Sequence, residues 1–373
     1  MSAHSVPMTQ VASPTSLAAL ACQGRIAEVD LAMQAERTSP LRMARAIAHT
    51  LAASSAVDRL AWVVRADGDE ALGEKALTSA WPLRFFGSSA HVEKPLIYLL
   101  RTDSMAGLRV AFQETNGRGI FLNTAETAPS RWLKGVKPEL ALWLADYPPC
   151  IPYDPATAEE ARAIVQASLQ ALYVEGEEAY YYLNLHDDGS GPERAEPAGV
   201  EEAYTGMYLV RTAPAEASGR VRLCGAGKAL ERVIRAADML LEDWGVASDI
   251  WSCPSYTRLA RDGQLTEQWN TVHPLAARRT SRLAACLGEA HTPIIAVTDY
   301  EQHVAAQIGA YVAAPFSAIG ADSLGTAAGR PGAEWIVMLA LKALAADGRV
   351  SAGRVGEALR RYGHRLHGRL EWE

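Results

Sequence analysis

The sequence predicts an α/β protein built from two open, mostly parallel sheets with helices on both faces. Three observations carry that reading. Residues 220–253 run strand, glycine turn, helix, strand: Val221 to Cys224, then Gly225-Ala226-Gly227, then Leu230, Val233, Ile234, Ala237 and Leu241 at three- and four-residue steps, then Asp249 to Cys253. A unit of this kind joins parallel strands. Short apolar runs recur on the N-terminal side at Leu60–Val64, Pro95–Leu100, Ile120–Asn123 and Ala179–Leu185, with a helix expected over 157–173. Finally, 373 residues exceed one ordinary core and suit two domains.

Taken in order, residues 1–16 are rich in Ser, Pro and Thr and read as a leader. Helices are expected over 17–36 and 40–54, the second opened by Ser39-Pro40, a capping residue and a proline at the first helical position. Residues 187–200 (DDGSGPERAEPAGV) are polar and rich in Gly, Pro and Glu, and form the natural linker. The expected division is a leader and N-terminal helix (1–38), a first domain (39–186), the linker (187–200), a second domain (201–350) and a tail (351–373). That tail spaces Val355, Leu359, Leu366 and Leu370 among arginines and reads as a basic amphipathic surface helix.

Composition removes several classes of function. Hydrophobic residues at 49% and charged residues at 21% describe a globular chain. A net charge of −7 argues against nucleic acid, which needs a basic face. The five cysteines (22, 150, 224, 253 and 286) lie without C-x-x-C spacing, so neither a disulfide framework nor a metal site is expected. Cys224 and Cys253 end apolar strands, where a thiol acts as a small hydrophobe. There is no apolar run of membrane-spanning length and no secretory signal, so a cytoplasmic location is expected. The glycine turn fails as a dinucleotide fingerprint, because Leu230 stands where a third glycine belongs and Ser252-Cys253 where the ribose acid belongs. Small residues there serve close helix–strand packing instead. Ala321-Asp322-Ser323-Leu324-Gly325 lacks the first glycine of a nucleophile elbow and an ordered acid and histidine after it.

The same stretch resembles the C-terminal part of the single-chain bacterial pyruvate dehydrogenase decarboxylase, a thiamine-diphosphate-dependent, transketolase-like family. The likeness rests on Gly225-Ala226-Gly227, on Trp251 to Gly263 (WSCPSYTRLARDG), on Trp269-Asn270 and His273-Pro274, then on Thr298-Asp299-Tyr300 and Ile319-Gly320-Ala321-Asp322. Upstream, Ser39 to Val64 resembles the entry to the family's pyrimidine-binding domain. Ile151-Pro152-Tyr153-Asp154-Pro155 and the Tyr-rich strand 179–185 follow in the family's order. The resemblance implies a pyrimidine-type domain followed by a transketolase C-terminal-like domain, the arrangement of a β subunit in two-chain relatives.

What the resemblance implies for function is half an enzyme. Thiamine diphosphate with Mg²⁺ would be shared with a partner, a diphosphate-domain (α-type) subunit, in an α₂β₂ assembly or larger. No Gly-Asp-Gly motif is present, and Ala66-Asp67-Gly68-Asp69 is the nearest string. The reaction implied is cleavage of a 2-oxo acid or ketose and transfer of a two-carbon unit to a lipoyl or acyl carrier protein thiol, with relatives known in secondary metabolism. Ser104, Met105 and Gly107 match the family's Ser-Met-x-Gly segment near the pyrimidine ring, whereas Ala106 replaces an aromatic wall. Glu93 is the candidate for the ring-binding glutamate, ahead of Glu70 and Glu74, in a layer that looks shortened between Trp81 and Lys94. His186 in Leu183-Asn184-Leu185-His186 is the candidate active-site histidine, two residues short of the family spacing. Thr124 to Tyr147, where the family is His-rich, contains no histidine. His273 is expected to cap a turn, and Asp299 and Tyr300 to serve an interface. The alternative is a catalytically degenerate partner that stabilises an active paralogue.

Overall fold

The computed structural model describes residues 13–33, 38–52, 60–68, 77–81, 93–189, 199–214, 219–288, 291–323, 326–327 and 330–362. Glu70, Glu74, most of the 187–200 linker and the end of the basic tail lie outside the described residues.

The first sheet holds β1 (Trp62–Ala66), β2 (Leu96–Leu100), β3 (Gly119–Asn123), β4 (Cys150–Tyr153) and β5 (Tyr180–Asn184) in the order β1-β2-β3-β5-β4, every pair parallel. β2, β3 and β5 are buried at every position, as strands covered on both faces must be. Alternation sorts their side chains. Ile97, Leu99, Ile120, Leu122, Tyr181 and Leu183 face α1 (Pro14–Met33), α2 (Pro40–Ala52) and α5 (Ala158–Tyr173). Tyr98, Phe121, Tyr180 and Tyr182 face α3 (Met105–Gln113) and α4 (Pro138–Asp146), where Phe112 stacks on Tyr180 at 4.0 Å.

The second sheet orders as β10-β9-β7-β8-β6, with β6 (Tyr208–Arg211), β7 (Gly219–Gly225), β8 (Val246–Ser252), β9 (Ile294–Val297) and β10 (Phe316–Ile319). All pairs are parallel except β6, which lies antiparallel to β8. One face carries α6 (Ala229–Trp244), α10 (Ala333–Ala346) and α11 (Ala352–Tyr362); the other carries α7 (Tyr256–Val272), α8 (Arg282–Leu287) and α9 (Gln302–Ala306). A two-stranded pair, β11 (Thr326–Ala327) with β12 (Arg330–Pro331), precedes α10. The strand–turn–helix–strand unit at 220–253 forms as expected. A Cβ on Gly225 would lie 2.9 Å from the Leu230 Cα, so small residues do serve close helix–strand packing there. α6 ends at Gly245 in the left-handed region, φ +63°. The tail helix α11 is not wholly a surface element: Ala358 and Tyr362 are buried, and the Tyr362 hydroxyl bonds Asp243.

The two sheets share an extensive polar seam. Arg261 on α7 donates to the carbonyls of Leu144, Ala145, Tyr147, Pro148 and Cys150, closing the C-terminal end of α4 from the other unit. Glu160 on α5, fully buried, accepts from the Ala156 N–H, the Tyr208 hydroxyl and the Ser252 hydroxyl. Tyr153 donates to the Tyr204 carbonyl at 2.7 Å, and Asp154 N–H to the Pro254 carbonyl at 2.7 Å.

Candidate functional site

Function in open α/β sheets gathers at the carboxyl ends of parallel strands. In the first sheet β3 and β5 end in the register pair Asn123 and Asn184. These two amides organise the loops beyond them. Asn123 donates to the Thr102 carbonyl and the Tyr182 hydroxyl and accepts from the N–H groups of Thr102 and Ala125. Asn184 donates to the Lys134 carbonyl at 2.9 Å. Gly135, φ +68°, brings that loop so close to Ala125 that a Cβ would sit 2.3 Å from its carbonyl oxygen. The Lys134 side chain is thereby turned inward.

Lys134 is 2% exposed, and its ammonium lies 2.5 Å from Glu126 and 2.7 Å from Asp154. Lys228, from the Gly227 turn of the second sheet, reaches Glu126 at 2.8 Å. Two carboxylates and two ammonium groups thus cancel in a site that joins both units. Burial opposes the charge on Glu126, yet Lys134 and Lys228 together hold its carboxyl below the usual range. Asp154 has one cation where Glu126 has two. Burial pushes its carboxyl up, and Lys134 pulls it back only to about 7. For Lys134 itself, burial works against the charge, but Asp154 and Glu126 outweigh it and raise the pKa. Tyr300 places its ring 5.5 Å from the Lys134 ammonium, and Arg232 pairs with Asp299 beside it. Asp299 and Tyr300 thus lie where the two units meet.

The glycine turn of the second sheet is closed by the same network. The chain leaves β7 toward β8 on one side while β9 lies on the other, so the crevice past β7 is the switch point where open sheets place ligands. Here Gly227, φ +51°, donates its N–H to the Asp154 carbonyl, and a Cβ on it would meet the Asp154 carboxylate at 2.4 Å. A carboxylate against the turn repels phosphate. What remains is a cavity of about 30 Å³ lined by Asp154, Ala226, Ser255, Thr298 and Tyr300 among others, room for a water or two.

His186 follows β5 at this same edge and is 2% exposed. Its Nδ1 accepts from the Asp188 N–H at 3.2 Å, which assigns the ring proton to Nε2. Nε2 is buried without a hydrogen-bond partner. Burial, and then the Lys134 charge, depress its pKa to about 4, so it stands as a neutral donor near neutral pH. Ser104 caps α3 by accepting from the Gly107 N–H, and Gly107 packs so tightly on Thr102 that a Cβ would sit 2.2 Å from its hydroxyl. Ser104, Met105, Gly107 and His186 thus all belong to the carboxyl edge of the first sheet.

Glu93 does not. It precedes β2, at the amino edge, with the whole length of that strand, about 17 Å at ~3.3 Å per residue, between it and Thr102. Its carboxylate is taken by Arg118 before β3, and its carbonyl by Thr15. Glu93, expected as the ring-binding glutamate, is paired with Arg118 there, away from His186. His273 behaves as expected, its Nδ1 hydrogen-bonded at 3.0 Å to the Trp269 carbonyl and its ring stacked on Trp269 at 4.6 Å. Sequence reasoning assigned no role to Glu126, Lys134 or Lys228. The one readable signal was the Tyr-Asp-Pro turn, which supplies Asp154. Among the described residues no cluster of three or more metal-type ligands exists, and no helix is long and apolar enough to cross a membrane.

Comparison with known proteins agrees with this architecture. Residues 206–333 match the sequence profile described as the transketolase-like TK C-terminal domain. These residues belong to that domain family. Around the transketolase-like C-terminal domain, the chain is similar to the pyruvate dehydrogenase E1 component of Cupriavidus necator, 39% identical over 229 residues, covering 58% of this chain and 25% of that protein. The pyruvate dehydrogenase E1 component of Mycolicibacterium smegmatis is 30% identical over 312 residues, 79% of this chain and 34% of the relative. The chain therefore spans a quarter to a third of the length of these relatives. Among solved structures, a chain titled "Split gene transketolase, inactive beta4 tetramer" shares the fold, with a TM-score of 0.53 and 15% identity over 82% of this chain and 98% of that one. Over the 82% of the chain that aligns, the fold is transketolase-like.

Proposed function

We propose that this chain is the β-type half of a split, thiamine-diphosphate-dependent enzyme, a pyrimidine-type unit joined to a transketolase-like C-terminal domain. The observation that supports it is the fold shared with the split-gene transketolase chain, TM-score 0.53 over 82% of this chain, together with a switch-point turn already filled by Asp154. The residues described here do not fit the diphosphate end of the cofactor. Asp154 occupies the one glycine turn at a switch point, and no metal cluster accompanies it among the described residues. A separate diphosphate-domain subunit would supply that end and Mg²⁺, in an α₂β₂ assembly of the cytoplasm. Ser104, Met105 and Gly107 would border the pyrimidine ring, and His186 would present its unpaired Nε2–H to a substrate or acyl oxygen. The assembly would cleave a 2-oxo acid or ketose and pass a two-carbon unit to a lipoyl or carrier-protein thiol, in secondary metabolism. Glu126 and Asp154 are committed to Lys134 and Lys228, so the ring-binding carboxylate is assigned to the partner side.

A second reading draws on that same commitment. A carboxyl edge sealed by a neutral buried network suits a degenerate subunit that stabilises an active paralogue. The two are separated by calorimetry and reconstitution. Titrated alone with thiamine diphosphate and Mg²⁺, the chain is expected to give no micromolar binding, and tight one-to-one binding overturns the split-enzyme reading. In a complex with its co-purified diphosphate-domain subunit, His186→Ala slows acyl transfer if this chain is catalytic. It leaves turnover unchanged if the chain only stabilises.

A further inference from the structure

Lys134, Glu126 and Asp154 touch in a way that charge balance alone does not require. The Lys134 nitrogen lies against both carboxylates, 2.5 Å from Glu126 and 2.7 Å from Asp154. The three side chains are only 2%, 1% and 6% exposed, and the Tyr300 ring stands beside the nitrogen. Asp154 gives one oxygen to Lys134; its other oxygen is buried and accepts no hydrogen bond among the described residues. A nitrogen held out of water against a carboxyl group is placed to form an amide. A second carboxylate on the same nitrogen is a base already in position.

The surroundings divide the roles. Burial opposes charge on both acids, but two cations hold Glu126 charged regardless, whereas Asp154 rises to about 7. Two acids set apart in this way read as a base and an electrophile. Lys228 is 19% exposed and reaches only Glu126, so Lys134 is the amine. Pro155 follows Asp154 and carries no N–H. That blocks ring closure onto the next backbone nitrogen, the route by which aspartates otherwise lose water.

We infer that the folded chain joins Lys134 to Asp154 through an amide, with Glu126 carrying the protons. Glu126 passes two protons in turn from the Lys134 nitrogen to one oxygen of Asp154. The nitrogen bonds to Asp154 Cγ, the bond from Cγ to that oxygen breaks, and the oxygen leaves as water. One ammonium and one carboxylate become one amide and one water, with no change of oxidation state and no co-reactant. The cavity of about 30 Å³ bordered by Asp154 has room for that water. Glu126 and Lys228 remain as a matched pair at 2.8 Å, so the linked site is still neutral. The bond closes α4 and β4 into one ring between residues 134 and 154. Burial favours the amine at Lys134, but the two carboxylates outweigh it and favour the ammonium, so the step is slow. Contact geometry works the other way, with an effective molarity of about 10⁵–10⁸ M. Newly folded chain holds the ion pair, which alone titrates at Asp154, and the amide accumulates with time. The bond stands independently of the proposed reaction.

Intact-mass spectrometry of the full chain tests this. Chain held folded at neutral pH for several days is expected to run about 18 Da, one water, below the mass of its sequence. Trypsin should then fail to cut after Lys134, and a further cut between residues 138 and 150 should leave the two pieces joined. Hot dilute acid gives a second readout. It cuts Asp-Pro bonds through the free aspartate carboxyl, and Asp154-Pro155, the one such bond in the chain, should resist once linked. Lys134→Arg and Glu126→Gln should each keep full mass, with near-ultraviolet circular dichroism reporting on the fold. A wild type still at full mass after that time overturns the inference, and so does a missing water located at any other pair. A folded Glu126→Gln that links at the wild-type rate overturns Glu126 as the base. Loss of the same water by Lys134→Arg overturns Lys134 as the amine.

Discussion

Asp154 and His186 sit in one network and titrate in opposite senses, so their effects on stability should conceal each other. Asp154 is raised from about 3.9 unfolded to about 7 folded. Native protein then holds the extra proton between those values, and its contribution, complete below pH ~4, is lost as pH rises toward 7. His186 is lowered from about 6.5 unfolded to about 4 folded. Its contribution is complete above pH ~6.5 and is lost as pH falls toward 4. Across about pH 4.5 to 6.5 each group moves stability by ~2 kcal/mol, at 1.36 kcal/mol per proton per pH unit, and the two cancel. Removing one exposes the other. Relative to wild type, His186→Gln should lose ~2 kcal/mol of unfolding free energy on going from about pH 4.5 to 6.5. Asp154→Asn should gain a similar amount over the same range. Urea unfolding at a series of pH values measures both. Two variants whose pH slopes match wild type within ~0.5 kcal/mol would refute the buried network as the cause.

The remaining expectations concern the seam. Gly227→Ala should destabilise by about 2–4 kcal/mol in thermal unfolding, because it adds a Cβ against the Asp154 carboxylate at positive φ. Arg261→Ala removes the guanidinium from five carbonyls between Leu144 and Cys150, of which Tyr147 alone is seen to keep another donor, the Cys150 N–H. It should cost about 2–3 kcal/mol, and Arg261→Lys should recover little, since a point charge cannot span the fork. Glu93→Gln should lower stability by ~1 kcal/mol or less through the half-exposed pair with Arg118. In a reconstituted assembly it should leave turnover intact; a large loss of turnover would return Glu93 to the reaction.

How much of this was readable in the sequence divides by position in the sheet. β2, β3, β5, β7, β8 and β9 are interior strands in their sheets, and each shows as an apolar run because both faces are covered. Within the two large sheets the strands without a clear sequence signal, β4, β6 and β10, are all at edges, and β1, also an edge, lies two residues beyond its apolar run; the two-residue strands β11 and β12 are too short to show one. β4 contains Pro152, which only an edge strand tolerates. β6 is short and mixes exposed with buried positions, and β10 is only half-buried along most of its length. The site was less legible than the fold. Lys134 looks like any surface lysine in the chain, since burial of a lysine is rare and depends on partners 8 and 20 residues away. Lys228 is separated from Glu126 by a hundred residues of unrelated sequence. His186 and the Ser104 turn are singled out because a motif marks them, whereas nothing in a linear reading tells the amino edge of a sheet, where Glu93 lies, from the carboxyl edge.

The closing of the Gly227 turn by Asp154 bears on how such a chain can be inherited. The turn carries a conformation and a void shaped for a carboxylate that arrives from the other unit, and the Lys134 ammonium is balanced only while Glu126 and Asp154 are both in place. A recombination event that exchanged one unit for a relative's would leave a buried charge without its counterpart or a side chain in the void. Each half constrains the other's descent. Crossovers between relatives of this chain should therefore survive at its outer ends and fail within the stretch from Glu126 to Tyr300, which ought to pass between lineages as a single block.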